Sequence, residues 1–322
     1  MNTTAGDAAA RDAGPTAPAI HRSMTAGEWG LLVALAVLWA GSYLYIGVAV
    51  KALPPLSIVA FRVGLGAVLL YLCVRVSGAR MPRDAAAWRV FIAMGIMNNV
   101  IPFSLIAWGQ EEIPAGLASI LNATTPLFTV LIAHVSTRDE KLDPLRIAGV
   151  VIGFVGVTIL IGADALADAG KYLAAELAPL LASVFYAVSA IYGRRVAKLG
   201  VAPLAAATGQ IASAAIIMIP LALIFERPWT LPMPGWDVWA SLIALAALST
   251  TVAYIIFYRL LATAGSVNLM LVTFMVPAGA VILGAVVLGE RLAVNHFIGM
   301  AGIAIGLAAI DGRVFRRFLR AA

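Results

Sequence analysis

The sequence predicts an all-α polytopic membrane protein: ten transmembrane helices, built as two inverted five-helix repeats around a central cavity. Three observations predict it. The first is composition: 62% of the 322 residues are hydrophobic and only 12% charged, where a soluble domain carries about a quarter charged residues. So much apolar surface needs lipid as its solvent. The second is an internal repeat. Ala115-Gly116 recurs as Ala264-Gly265 at an offset of 149, Pro126 as Pro277 at 151, and Glu140 and Leu142 as Glu290 and Leu292 at 150. Gly149 and Gly156 then fall on Gly299 and Gly306. The third is the count of apolar stretches of about 20 residues, the length that crosses a bilayer. Ten fit, five in each copy. An odd number of spans turns the second copy upside down relative to the first, an architecture of many secondary transporters.

Residues 1–27 are rich in Ala, Gly, Thr and Pro and lack the apolar core of a cleavable signal peptide. They are expected to be a disordered cytoplasmic tail. The first repeat is assigned to residues 28–163, the second to 164–312, and a basic cytoplasmic tail to 313–322. Span one (29–50) carries Trp39-Ala-Gly-Ser42 and Tyr43. Span two (56–76) follows Pro54-Pro55 and holds Arg62. Span three (88–108) contains Asn98, Asn99, Pro102 and Trp108. In span four (115–135), Gly116, Ser119, Asn122 and Pro126 share one helical face. Span five (145–162) has Gly149-x3-Gly153, and span ten (293–310) has Gly302-x3-Gly306. These small-residue pairs allow close helix approach, either within the monomer or at a dimer seam. In span six (173–193), Ser183 and Tyr186 lie on one side. Span seven (203–225) offers no motif. In span eight (238–258), Thr251, Tyr254 and Tyr258 are spaced i, i+3, i+7. Span nine (266–288) carries Pro277.

Orientation follows from the loops. With a cytoplasmic N-terminus, 17 of the 22 Lys and Arg fall inside, and only Lys51, Lys171, Arg227 and Arg291 fall outside. Both termini are therefore expected in the cytoplasm, with the chain multi-pass in the membrane. The net charge of +6 does not indicate nucleic acid, because the basic residues sit between spans rather than on one stripe. A single cysteine, Cys73, excludes an internal disulfide.

Proline inside a helix leaves the carbonyl four residues earlier without its donor. Pro102, Pro126 and Pro277 would free the carbonyls of Asn98, Asn122 and Thr273. Either polar side chains satisfy these kinks, or the kinks face a wet cavity. The pairing of Pro126 with Pro277 favours the cavity and marks both as candidate gating kinks. Candidate cavity residues are Trp39, Tyr43, Asn98, Asn99, Trp108, Asn122, Tyr186, Thr251 and Tyr254. Trp29, Trp88, Trp236 and Trp239, at span ends, are expected to be interfacial anchors. Arg62 is the one ionisable group deep in a span. It either grips a ligand or ties helices together, for instance by snorkelling or by bonding a helix terminus.

The carboxylates all fall in tails, loops or at span margins, Glu28, Glu111, Glu112, Glu140, Glu176 and Glu290 among them. His134 and His296 lie near membrane boundaries. Without a buried acid as relay, facilitated movement down a gradient is expected. No cofactor or metal is implied, and the chemistry of an intramembrane enzyme is missing: no paired aspartates, no His-Glu-x-x-His helix and no base beside Cys73. A phosphorylated substrate would want several converging basic groups. A neutral or zwitterionic small molecule fits Asn, Thr and Tyr better.

With these residues in view, the chain resembles the EamA-type exporters of the drug/metabolite transporter superfamily, from about residue 29 to 310. Trp39-Ala-Gly-Ser42, Pro54-Pro55 with Arg62, Ala115-Gly116 to Pro126 with Glu140-Lys-Leu142, and Ala264-Gly265 to Pro277 with Gly289-Glu-Arg-Leu292 carry the resemblance. It departs where Arg138-Asp139 replaces the usual Leu-Gly. The resemblance implies a cavity lined by spans one, three, four, six, eight and nine. It also implies export of amino acids or related metabolites, as by bacterial exporters of aromatic and neutral amino acids. The alternative is a proton-coupled exporter of drugs or purine-type metabolites. The expected partners are a small-molecule substrate and the bilayer, with the protein a monomer or weak homodimer.

Overall fold

The computed structural model describes residues 24–136, 144–167 and 171–311. Most of the expected N-terminal tail, all of the 313–322 tail and the loop holding Glu140 lie outside the described residues. Every expected span has its helix. Span one is Ala26–Ala49, span two Pro55–Val76, span three Ala85–Gly109 and span four Ala115–Ser136. Span five is Pro144–Ala167, span six Lys171–Tyr192 and span seven Pro203–Phe225. Span eight is Trp236–Thr263. Span nine runs from Gly265 to Leu288 in pieces, and span ten is Val294–Asp311. Seven of these helices are long and apolar enough to cross a membrane, and Pro144–Leu160, Val272–Leu288 and Val294–Ile310 are shorter apolar helical stretches.

Span one starts three residues before the position the hydrophobic pattern suggested. The reason is a capping box: Thr25 Oγ1 accepts the Glu28 amide at 3.3 Å, and Glu28 Oε2 accepts the Thr25 amide at 2.8 Å. Ala26 and Gly27, assigned to the tail, are therefore helical.

The packing obeys the repeat. Spans two and seven lie against each other, and so do five and ten. Span one packs on eight and nine, as its counterpart, span six, packs on three and four. Span three packs on seven, as span eight packs on two. Each pairing maps onto another when the copies are exchanged, as a two-fold relation requires. The small-residue stripes of spans five and ten do their work here, within one chain. A Cβ at Gly149 would meet the Gly306 carbonyl at 2.6 Å, and one at Gly156 the Ile303 amide at 2.7 Å.

The two halves are also pinned at one end of the bundle. Glu226, at the end of span seven, accepts from the Leu56 and Ser57 amides at 2.9 and 2.6 Å and from the Ser57 hydroxyl at 2.7 Å. Glu290, after span nine, accepts from the Ala115 and Gly116 amides at 2.7 and 3.1 Å. Each carboxylate fills the orphan donors that open a helix in the other half, where the helix dipole favours negative charge. Gly289 makes the second cap possible: its φ of 69° turns the chain back at the end of span nine. The repeated motifs Ala115-Gly116 and Gly289-Glu290 are thus partners across the halves.

Candidate functional site

The middle of the bundle is shaped by departures from the regular helix. Span three widens into a π-helix at Ile96–Val100, directly before Pro102. The Ile101 amide bonds the Ile96 carbonyl, five residues back. Proline removes the donor that Asn98 would normally meet, so the ladder shifts by one residue. Span eight carries the matching π-helix, Ala247–Val252, without any proline. There the hydroxyls of Thr250 and Thr251 bond the carbonyls of Leu245 and Ala246, each at 3.0 Å. Span four breaks outright: helix Ala115–Asn122 ends, and Thr125–Ser136 begins with Pro126 in its first turn. The Asn122 carbonyl is taken by the hydroxyls of Ser183, at 3.1 Å, and Thr125, at 2.8 Å.

These breaks bring polar side chains from both halves together. Tyr254 is the hub. Its hydroxyl accepts from the side-chain amides of Asn98, Asn99 and Gln210 at 3.3, 3.0 and 3.1 Å. Gln210 also donates to Asn99 Oδ1 at 2.8 Å, and the Ser189 hydroxyl donates to Asn98 Oδ1 at 2.8 Å. A second group joins spans one, four and six: Asn122 donates to the Tyr43 hydroxyl at 2.8 Å, and its Oδ1 accepts from Ser183 at 3.3 Å. Asn98, Asn122, Tyr186 and Tyr254 are half-buried, whereas Asn99 is fully buried.

Arg62 lies between the groups. It is 5% exposed. Its Nε donates to Thr250 Oγ1 at 3.0 Å, and its guanidinium sits over the Phe103 ring, 3.6 Å from the centroid. Its electrostatic neighbours are Tyr43, Tyr186 and Tyr254. Burying such a charge costs several kcal/mol, and a desolvated cation–π contact returns about 2 kcal/mol. The bond to Thr250 ties the two halves, which is the structural role allowed for Arg62; the arginine does not snorkel out.

Two cavities lie off this centre. One, of about 250 Å³, opens at the pinned end among Gly47, Lys51, Gln110, Leu288 and Glu290. The other, of about 230 Å³, is apolar and lies between spans four, nine and ten, with Thr273 and Pro277 on its wall.

Comparison with known proteins now decides the family. The model of the EamA-like transporter family matches residues 28–162 and again 173–310. The chain belongs to the EamA-like transporter family. It is a multi-pass membrane protein of a transporter family. It is 22% identical to YoaV of Bacillus subtilis, an uncharacterised transporter, over 86% of this chain and 94% of that one. It is 25% identical to YedA, an uncharacterised inner membrane transporter of Escherichia coli, over 88% of this chain and 90% of the relative. A crystal structure described only as that of a protein is similar in fold, with a TM-score of 0.63, 20% identity, and coverage of 88% of this chain and 96% of the other.

Within this EamA fold the sequence-derived residues separate. Tyr43, Asn98, Asn99, Asn122 and Tyr254 join the hydrogen-bond network, and Tyr186 and Arg62 lie beside it. Thr251 turns back to its own helix. Trp39 packs on Phe257, ring centroids 5.8 Å apart, in an apolar cluster of spans one, eight and nine. Trp108 is 44% exposed and stands apart from the network. Of the expected anchors, Trp29 and Trp236 are exposed, whereas Trp239 packs edge-on against Phe61. His296 accepts the Ala293 amide at 3.1 Å and so caps the start of span ten.

Sequence reasoning missed Gln210, Thr250 and Phe103. Gln210 had a signal, a lone amide in a long apolar span. The others had none, since the π-stretch that turns Thr250 toward Arg62 leaves no periodic trace. One expectation is corrected, that no acid is buried. Glu176 does stand near the end of span six, in its second turn, but it is 6% exposed, and its Oε2 has no hydrogen-bond partner among the described residues. Glu28 is buried too, spent on its cap.

Proposed function

We propose that this EamA-family protein is an exporter of small neutral or zwitterionic metabolites, amino acids foremost, in the bacterial inner membrane. The observation that carries this reading is the polar network in which spans one, three and four of the first half meet spans six, seven and eight of the second. A site built from both halves changes when the halves rock, the requirement of alternating access. Hydroxyls and amides suit a small polar substrate, and the tyrosine rings suit an apolar side chain beside it.

The positive-inside bias supports cytoplasmic termini. The pinned end, with Glu226, Glu290 and Lys51, is then the extracytoplasmic one. Ala115–Leu121 is buried throughout at that end, while the site residues nearer the other end are half-buried. The conformation is thus read as closed outward. Counterflow into proteoliposomes loaded with unlabelled amino acids, purines or cationic drugs, at matched pH and zero voltage, tests the proposal. Labelled neutral or aromatic amino acids are expected to accumulate; accumulation only of cations or purines, or none at all, would reject it.

One observation favours the alternative of proton coupling: the buried Glu176 carboxyl with an unpartnered oxygen, close to the pinned end. If Glu176 relays protons, Glu176→Gln leaves counterflow intact and abolishes transport driven by a proton gradient. If transport is facilitated, both assays respond alike.

A further inference from the structure

We infer that Arg62, with the hydroxyls of Tyr43, Tyr186 and Tyr254, forms a binding site for a carboxylate. The carboxylate, rather than an amine, is then the group by which the substrate is held. The inference rests on the transport reading only for the word substrate; the anion site itself stands on geometry.

Donors and acceptors around Arg62 do not balance. Of the guanidinium, only the Nε–H is used. The Nη groups, the fork that takes a carboxylate in bidentate fashion, have no protein acceptor among the described residues, and no Asp or Glu pairs with them. Arg62 is nonetheless deeply buried. The surrounding hydroxyls carry the same bias. Tyr254 already receives three amide donors and Tyr43 receives one. A hydroxyl that accepts still has its own proton to give, and neither proton meets an acceptor among the described residues. The half-buried Tyr186 hydroxyl has no hydrogen-bond partner there at all. Asn98, Asn99, Asn122 and Gln210 direct their NH2 groups at tyrosines, so each amide pushes a tyrosine toward donation. Donors thus outnumber acceptors around Arg62: both Nη groups and three tyrosine protons against the spare lone pairs of Tyr43 and Tyr186, beside a cation without a counter-ion among the described residues. An acceptor-rich, negatively charged and planar group meets that demand. Phe103 fixes the guanidinium plane from one face, which leaves its edge for the ligand.

Among the described residues, no matching acid for an ammonium group stands beside Arg62. Simple organic acids and 2-oxo acids are thus expected as ligands alongside amino acids, and amides of those acids are not.

The test uses the purified full-length chain and thermal unfolding, since a ligand that binds only the folded state raises the midpoint in a saturable way. The probes are acetate, benzoate and phenylacetate against acetamide, benzamide and phenylacetamide. At least one carboxylate is expected to stabilise the wild type saturably while its amide does not. Arg62→Gln is expected to lose that response, and Arg62→Lys to weaken it roughly tenfold, since lysine keeps the charge without the fork. If Arg62→Gln fails to fold, Tyr186→Phe serves, because that hydroxyl has no hydrogen-bond partner among the described residues and its loss orphans no amide, as the loss of the Tyr254 hydroxyl would. The variant keeps the ring, removes one donor, and is expected to weaken the carboxylate several-fold without affecting the amide. Equal responses to acids and amides, an Arg62→Gln protein that still responds as wild type, or a wild type unmoved by every carboxylate would each overturn the site. Counterflow of neutral compounds that is indifferent to Arg62→Gln would overturn it while leaving transport intact. Carboxylate stabilisation without any counterflow would uphold the site and remove transport.

Discussion

Spans three and eight reach the same shape from different sequences, whereas spans four and nine share a proline and a break in the helix but set the proline at different distances from that break. In span three Pro102 forces the π-stretch; in span eight Thr250 and Thr251 hold it open by bonding back to their own helix. Two unrelated chemistries converge because both stretches supply the site: Asn98 and Asn99 from one, the Thr250 partner of Arg62 from the other. Pro126 follows a break in span four and leaves an Asn122 carbonyl that Ser183 and Thr125 satisfy. Span nine breaks too, between Leu269 and Val272, but Pro277 sits in the middle of its second piece, Val272–Leu283, on the wall of an apolar cavity. Repeat symmetry in the backbone is thus kept in the breaks and the π-stretches and relaxed in where the proline falls. π-stretches of this kind concentrate at functional sites.

Breaking the symmetric pair is expected to have the larger effects. Asn99→Leu takes one of the two acceptors of the Gln210 amide and removes one of the donors that orient Tyr254. Each buried group left unpaired costs about 1–3 kcal/mol, so a clear fall in the unfolding midpoint and loss of counterflow are expected together. Next comes Pro102→Ala. It restores the missing donor to span three and regularises one π-stretch while leaving the other. Folded yield should hold or rise, because a proline in a helix interior is unfavourable by about 3 kcal/mol, yet transport should drop roughly tenfold, about 1.4 kcal/mol at the site. Unchanged transport would mean that the matched π-stretches serve packing alone.

The fold was legible because lipid imposes a simple rule. Apolar runs of bilayer length must be helices, and the duplicated Ala-Gly, Pro and Gly-Glu-Arg-Leu elements give the repeat away. The polar network was legible where polarity stood out at depth: Tyr43, Asn98, Asn99, Asn122, Tyr254 and Arg62 stand out in the sequence as intramembrane polar groups. It was not legible where the deciding factor was rotation about a helix. A π-stretch adds a residue to the turn, so Thr250 meets Arg62 while Thr251, chosen from i, i+3, i+7 spacing, faces its own backbone. Trp39 and Trp108 stand apart from the network for a related reason: depth along a span says nothing about which side of it faces the centre. Glu176 was misjudged by its nearness to a span end, because a second-turn residue is already covered where spans three and four pack on span six.

The smallest expected effects come from the unequal pair. If span nine is a gate, its second piece must bend at Pro277, beside a cavity that leaves room for it; Pro126, in the first turn after the break in span four, adds little. Pro277→Ala should therefore slow transport with little change in folded yield, whereas Pro126→Ala should be close to silent, its position in the first turn of a new helix tolerating either residue. The measurement is the initial counterflow rate of the two variants side by side, with unfolding midpoints as control. A larger effect at Pro126 would assign bending to the broken span and make the Pro277 cavity a packing defect. Equal, sizeable effects would restore the symmetry between the two prolines that their structures deny. A wild-type rate for Pro277→Ala would end the gating role of span nine and leave rigid rocking of the halves as the motion.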